Sequence, residues 1–337
     1  MRNGLPDNRS VTPVIGNILM VAVVVVIAVV LVVLSFTFLE GTGAPNAEAS
    51  FEYEQTPAGL ELRPQALGTD VVVKLNDETV TQLSADSAGK SVLLPTKPGD
   101  RITVVSTEGR RSVLVDRTAD DRSEVGDLIA VYDFESGSGS TLVDRSGNGN
   151  DGEIQGDASW GSSSLRFDGQ NDYVSVTNIS SPEPVDEFTI AVAYETTTDD
   201  EKQELVEHIS TDDNWLLELK PCSRSETDCD GSDGYKPVYN VDRASGSQTG
   251  QIFGDTLDAN TEHVAVGTYD GSDFTLYVDG ERKESETFNG EISMGDMYIG
   301  RDAESGRDFL DGRISEIRLY YTSFDGEQVR VVTNALD

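Results

Sequence analysis

Residues 262–280 read EHVAVGTYDGSDFTLYVDG, and this stretch decides the fold. Two runs rich in β-branched and aromatic residues, 264–269 and 274–279, flank the polar link Asp270-Gly271-Ser272-Asp273. A second polar break, Asp279-Gly280, follows at once, and Asp-Gly suits the positive φ of a tight hairpin turn. Antiparallel strands joined by hairpins are therefore expected. Outward from this stretch, residues 130–135, 164–168, 173–177, 188–194, 215–219 and 314–320 alternate or run apolar at strand length. So many short strands over 128–337 predict one two-sheet β-sandwich. Only 326–336 has a helical pattern, with Val329, Val332 and Leu336 on one face.

Several of these segments carry a family resemblance. Tyr132-Asp133-Phe134-Glu135 is followed by Asp144-Arg145-Ser146-Gly147-Asn148-Gly149-Asn150-Asp151-Gly152, then by Leu165-Arg166-Phe167-Asp168-Gly169 with Asp172-Tyr173-Val174. The 262–280 stretch, Ile299-Gly300-Arg301 and Phe309-Leu310-Asp311-Gly312-Arg313-Ile314-Ser315-Glu316-Ile317-Arg318-Leu319-Tyr320 complete the set. In this order the blocks resemble laminin-G-like, concanavalin A-like jelly-roll domains. The resemblance implies a module that binds carbohydrate or protein, often with a structural calcium ion. Hard cations want several oxygen ligands, and Asp168, Asp172 and Asp311 are the candidates for Ca2+ under it. The alternative is a set of solvated Asp-Gly turns in an acidic chain. Trp160 and Trp215 are the candidates for stacking on sugar rings, core packing being the commoner fate of a sandwich tryptophan.

Ahead of this domain, residues 50–116 contain shorter alternating runs broken by Pro57-Ala58-Gly59, Asn76-Asp77 and Lys97-Pro98-Gly99-Asp100. A small antiparallel β-sandwich is expected there, with linkers at 40–49 and 117–127. Between Ile18 and Leu39 no residue is charged, and 22 residues at ~1.5 Å each give roughly 33 Å of helix, enough to cross a bilayer core. Arg2 and Arg9 on the short side put the N-terminus in the cytoplasm and the bulk at the cell surface. The run Thr12-Pro13-Val14-Ile15-Gly16-Asn17-Ile18-Leu19-Met20-Val21-Ala22 resembles the start of haloarchaeal type IV pilins. That resemblance implies a leader at 1–10, cleavage by a prepilin peptidase between Ser10 and Val11, a retained helix at 11–39, and other pilin subunits as partners. Bacterial pilins carry a glutamate at the fifth mature position; here Ile15 stands there. An uncleaved membrane anchor is the alternative.

The chain has 61 acidic against 25 basic Lys and Arg residues, a formal net charge of −36. Such a surface repels nucleic acid and points to a halophile, where salt screens self-repulsion. The two cysteines, Cys222 and Cys229, close a short loop without further zinc ligands, so a disulfide or two free thiols is expected. Asn178-Ile179-Ser180 is a glycosylation sequon.

Some proteins of this fold hydrolyse glycans with paired carboxylates. The nearest E-x-D-x-E-like run, 226–230, lies in the polar cysteine loop and ends in aspartate. Glu204 and Glu207 stand three apart on an expected strand, hence on opposite faces. No catalytic residue is assigned. The expectation is a pilin-like surface protein displaying a binding module; the rivals are a surface protein outside any filament and a surface glycoside hydrolase.

Overall fold

The computed structural model describes residues 49–336, apart from 108–111, 120–126, 136, 180–184, 186, 210–213, 224–226, 228, 230–232, 243–247, 289–291, 293 and 304. The expected leader, cleavage site and hydrophobic helix all lie outside the described residues. Among the described residues no helix is long and apolar enough to cross a membrane.

Seven strands form the small domain: β1 (Ala49–Thr56), β2 (Gly59–Leu67), β3 (Val71–Leu75), β4 (Glu78–Leu83), β5 (Val92–Leu94), β6 (Arg101–Ser106) and β7 (Val113–Thr118). They pair antiparallel into two sheets, β1-β2-β5 and β4-β3-β6-β7. Alternation drives the packing: Leu60 and Leu62 of one sheet meet Val71, Val73, Ile102 and Val104 of the other in one apolar cluster. Strand β7 runs two residues into the segment expected as a linker at 117–127, and Ala119 beyond it is buried.

The large domain begins with β8 (Leu128–Tyr132), β9 (Thr141–Leu142), β10 (Gly152–Gln155), β11 (Ser159–Trp160), β12 (Leu165–Asp168) and β13 (Tyr173–Val176). The longest strands follow: β14 (Phe188–Thr196), β15 (Gln203–Ile209), β16 (Asn214–Pro221), β17 (Tyr235–Asp242) and β18 (Gln248–Phe253). The chain closes with β19 (His263–Tyr269), β20 (Asp273–Val278), β21 (Glu281–Thr287), β22 (Asp296–Ile299), β23 (Asp311–Tyr320) and the helix α1 (Gly326–Leu336). One sheet runs β18-β17-β16-β15-β22-β13-β10-β9; the other runs β11-β12-β23-β14-β19-β20-β21, with β8 also on β23. Trp215, Phe188, Phe274, Tyr239 and Phe167 fill the layer between them.

Both predicted turns form. Asp270 Oδ1 accepts from the amides of Ser272 and Asp273 at 2.9 and 2.7 Å. Asp279 and Gly280 sit at φ 51° and 74°, the left-handed pair a two-residue hairpin needs. Residues 144–150 clasp the edge strand β8. Asp144 accepts from the amides of Val131, Ser146 and Asn150, while the Asn148 and Asn150 side chains donate to the Ile129 carbonyl. That covers edge groups which would otherwise invite another strand. This block of turn residues thereby serves the fold.

The outer face of the second sheet is covered as well. Helix α1 starts with a capping box, Asp325 accepting from the amides of Glu327 and Gln328 while Gln328 accepts from the Asp325 amide. It lays Val329, Val332 and Leu336 on Ala191, Val264 and Val266. Ala58 and Ala119 of the small domain share this second core. At its margin buried Arg318 donates to the Pro95 carbonyl at 2.7 Å and to Glu316 at 2.6 Å, and Lys97 lies 3.4 Å from Asp133. The two β domains are thus docked through apolar and ionic contacts.

Candidate functional site

Of the two sheets of the large domain, the one from β18 to β9 carries no helix on its outer face among the described residues. Cross-strand register sets one row across all its strands: Thr141, Glu153, Ser175, Tyr298, Glu207, Leu216, Asn240 and Gln251. At ~4.8 Å per strand the row is about 34 Å long. A parallel row, Glu204, Glu218, Val238 and Phe253, lies beside it.

The two halves of this face differ. On β15 to β17 the outward polar residues are sealed: Glu204 and Glu218 are each 1 % exposed. Lys202 bridges them at 2.7 and 2.8 Å and reaches Asp308 at 3.2 Å; Lys220 adds 3.2 Å to Glu218. Burial first, and the Glu218 carboxylate second, push the Glu204 carboxyl well above the usual range. Burial works against the Lys202 charge, but its two glutamates more than restore it, so its pKa is raised. Glu207 shares this face. A β-bulge between Glu204 and Val206 turns Leu205 and Val206 both into the core, so glutamates three apart come out on the same side. The opposite-face expectation for Glu204 and Glu207 is corrected accordingly. Glu207 accepts a hydrogen bond from the Ala303 amide.

On β13 and β22 the face is open. Tyr173, Ser175 and Tyr298 point outward and are half-buried, because Val174, Val176, Met297 and Ile299 alternate into the core. The tyrosine rings stand 6.4 Å apart, and the Arg301 guanidinium lies over both, 3.9 Å from the Tyr173 centroid and 4.8 Å from that of Tyr298. The positive φ of Gly300 (84°), packed on Phe167, aims the chain so that Arg301 returns over the sheet.

The predicted stacking residues lie elsewhere. Trp215 is fully buried, stacked on His208 at 5.4 Å and 5.2 Å from Phe188. Trp160 is half-exposed, but Nε1 donates to the Gly139 carbonyl at 2.9 Å and Gly137 lies flat on its ring, where a Cβ would come within 1.9 Å of an indole carbon. The open cleft beside it, lined by Asp133, Phe134, Val143 and Arg145, has room of about 150 Å³, less than a ligand site commonly offers.

Nor do Asp168, Asp172 and Asp311 converge. Asp311 Oδ1 accepts from the Thr197 hydroxyl, and the acid that joins Asp168 and Asp172 within 4.8 Å is Asp157. Buried Asp172 accepts from the Asp157 and Asp168 amides at 2.8 and 3.1 Å; Asp168 accepts from the Gln170 amide at 2.9 Å. Asp157, Asp168 and Asp172 thus bring carboxylate oxygens close enough together to hold a metal ion, while Asp168 and Asp172 also accept from amides of the turn. Cys222 and Cys229 are bonded to each other, their Cα atoms 5.5 Å apart, and close a loop that begins at the end of β16. Of the acidic run inside that loop, residues 226, 228 and 230 lie outside the described residues. Asn178 is exposed in a turn at φ 54°.

Comparison with known proteins places the fold. Residues 168–330 match the family model described as the concanavalin A-like lectin/glucanases superfamily, Laminin_G_3. No curated protein sequence is similar enough to match. Among solved structures, the receptor binding domain of botulinum neurotoxin C/D mosaic serotype aligns at 12% identity and TM-score 0.50, covering 62% of this chain and 51% of that one. The serotype D binding domain (11% identity, TM-score 0.49) and the type G receptor binding domain (13%, 0.48) align over 62% of this chain and 52% and 51% of theirs. The chain spans about half the length of these structures, and at such identity the likeness speaks to fold alone. The large domain is a concanavalin A-like jelly roll, mainly β, of the kind the sequence blocks resemble.

Proposed function

We propose that this is a non-catalytic cell-surface binding protein whose jelly-roll domain takes a saccharide on the open half of its uncovered sheet. The observation that carries this reading is the outward pair Tyr173 and Tyr298 with Arg301 lying over both rings. Rigid aromatic rings and a fixed guanidinium on flat β-structure offer stacking and hydrogen-bond donors at little entropic cost on binding. Hydrolysis is disfavoured by the state of the carboxylates. Glu204 and Glu218 are sealed and tied to Lys202, so neither reaches a glycosidic oxygen. In this reading the N-terminal segment is a pilin-like assembly helix, cut between Ser10 and Val11, that holds the head outside the membrane.

Two measurements test it. A glycan panel probed with the full chain is expected to give saccharide binders whose signal falls when Tyr298 becomes alanine, with no reducing ends released. Binding that ignores Tyr298, or turnover of the glycan, contradicts the proposal. N-terminal sequencing of the mature protein is expected to begin at Val11; an intact Met1 removes the pilin part alone.

A further inference from the structure

Charge pairing around the open half-face is uneven. In a chain with 61 acids to 25 Lys and Arg, a basic side chain seldom lacks an acidic neighbour. The other basic side chains that are at least half-buried among the described residues each have an acceptor. Lys97 has Glu316, Lys202 and Lys220 have Glu218, Lys283 has Asp255, Arg313 has Glu195 and Arg318 has Glu316. Arg63 pairs with Glu61, Lys74 donates to the Asp77 carbonyl, and Arg117 and Lys236 are also engaged.

Arg301 stands apart. Its Nε is buried with no acceptor, and no hydrogen bond or ion pair engages its terminal nitrogens among the described residues. Three described acids close to it in sequence or register have partners of their own. Glu207 accepts from the Ala303 amide, Asp302 accepts from the Ser305 amide at 2.6 Å, and Asp308 faces Lys202. Glu153 lies two strands from Tyr298 in the same row, about 10 Å away at ~4.8 Å per strand. The fold thus holds one guanidinium against two tyrosine rings, with no carboxylate partner among the described residues. A guanidinium fork so fixed matches a planar carboxylate in two-point contact.

We infer that the saccharide bound on this face carries a carboxylate, and that Arg301 receives it. This inference rests on the saccharide reading above and adds the chemical class of the ligand. Tyr173 and Tyr298 set the plane of the guanidinium, so the acid group of a hexuronate or nonulosonate residue meets the outer edge of the fork while the sugar ring lies along the sheet.

The test uses the full chain and matched pairs of probes: hexuronate and nonulosonate oligosaccharides, and the same oligosaccharides with the carboxyl groups reduced to alcohols. Calorimetric affinities are measured for the wild type, Arg301→Gln and Arg301→Lys, with circular dichroism to check folding. The expected result is an acidic probe that binds the wild type roughly 10- to 100-fold more tightly than its reduced partner. That preference is expected to vanish in Arg301→Gln and to persist, weakened, in Arg301→Lys, which keeps the charge without the fork. Equal binding of the acidic and reduced forms, unmoved by Arg301→Gln, overturns the inference and leaves the saccharide reading in place. Binding of sulfated but not carboxylated oligosaccharides also overturns it. Absence of binding to every saccharide overturns both.

Discussion

His208 lies on the core side of the strand that carries Glu207, directly behind the binding row. Its Nε2 accepts a hydrogen bond from the Gly295 amide at 2.6 Å, so the ring proton sits on Nδ1, where it finds no acceptor. Its ring stacks on Trp215 and is fully buried. Burial lowers its pKa from 6.5 to about 4. A folded pKa below the unfolded one means that the unfolded chain takes up a proton which the native state refuses. The stability at stake is present above pH 6.5 and is lost as pH falls toward 4. At ~1.36 kcal/mol per unit, the loss reaches about 2 kcal/mol between pH 7 and 5. His208→Gln keeps an acceptor for the Gly295 amide and removes the titration. Urea unfolding followed by tryptophan fluorescence at pH 7, 6 and 5 gives the two stability curves. The wild type is expected to lose about 2 kcal/mol more than the variant over that range. Parallel curves would refute the assignment of His208 as a buried neutral imidazole.

Three further outcomes are expected. Trp215→Ala removes a fully buried indole and costs about 3–5 kcal/mol in urea unfolding, whereas Trp160→Ala, at a half-exposed edge, costs less than half of that. Arg318→Ala leaves the Pro95 carbonyl without its donor and Glu316 with Lys97 alone, costing about 3 kcal/mol, and splits the calorimetric transition as the small domain melts first. Gly137→Ala drives a methyl group into the Trp160 ring and destabilises the cleft by about 1–3 kcal/mol, again read from the urea midpoint.

Much of the fold was legible because it rests on local chemistry. Alternation over 264–269 and 274–279, the Asp279-Gly280 turn and the apolar stripe Val329, Val332, Leu336 each specify their element without distant help. The site was less legible, since period-two alternation does not say which side of a strand will be covered. Tyr173 and Tyr298 sit in YVSV and DMYI, where the apolar neighbours alternate inward, and that alternation was the available signal. Tryptophan drew attention instead, and the sandwich core took Trp215. The bulge at Leu205 has no turn residue to announce it, so Glu204 and Glu207 could not be placed on one face from spacing. Asp157 joins Asp168 and Asp172 from eleven and fifteen residues upstream, a meeting that only the tertiary fold creates.

The most direct test of the central claim is an NMR titration of the full chain, with ring-labelled tyrosine, against the tightest saccharide from the glycan panel. The account predicts shifts at Tyr173 and Tyr298, with the core rings Tyr132 and Tyr239 unmoved. Shifts confined to tyrosines outside the open half-face, or a bound saccharide that leaves Tyr173 and Tyr298 unperturbed, would contradict it.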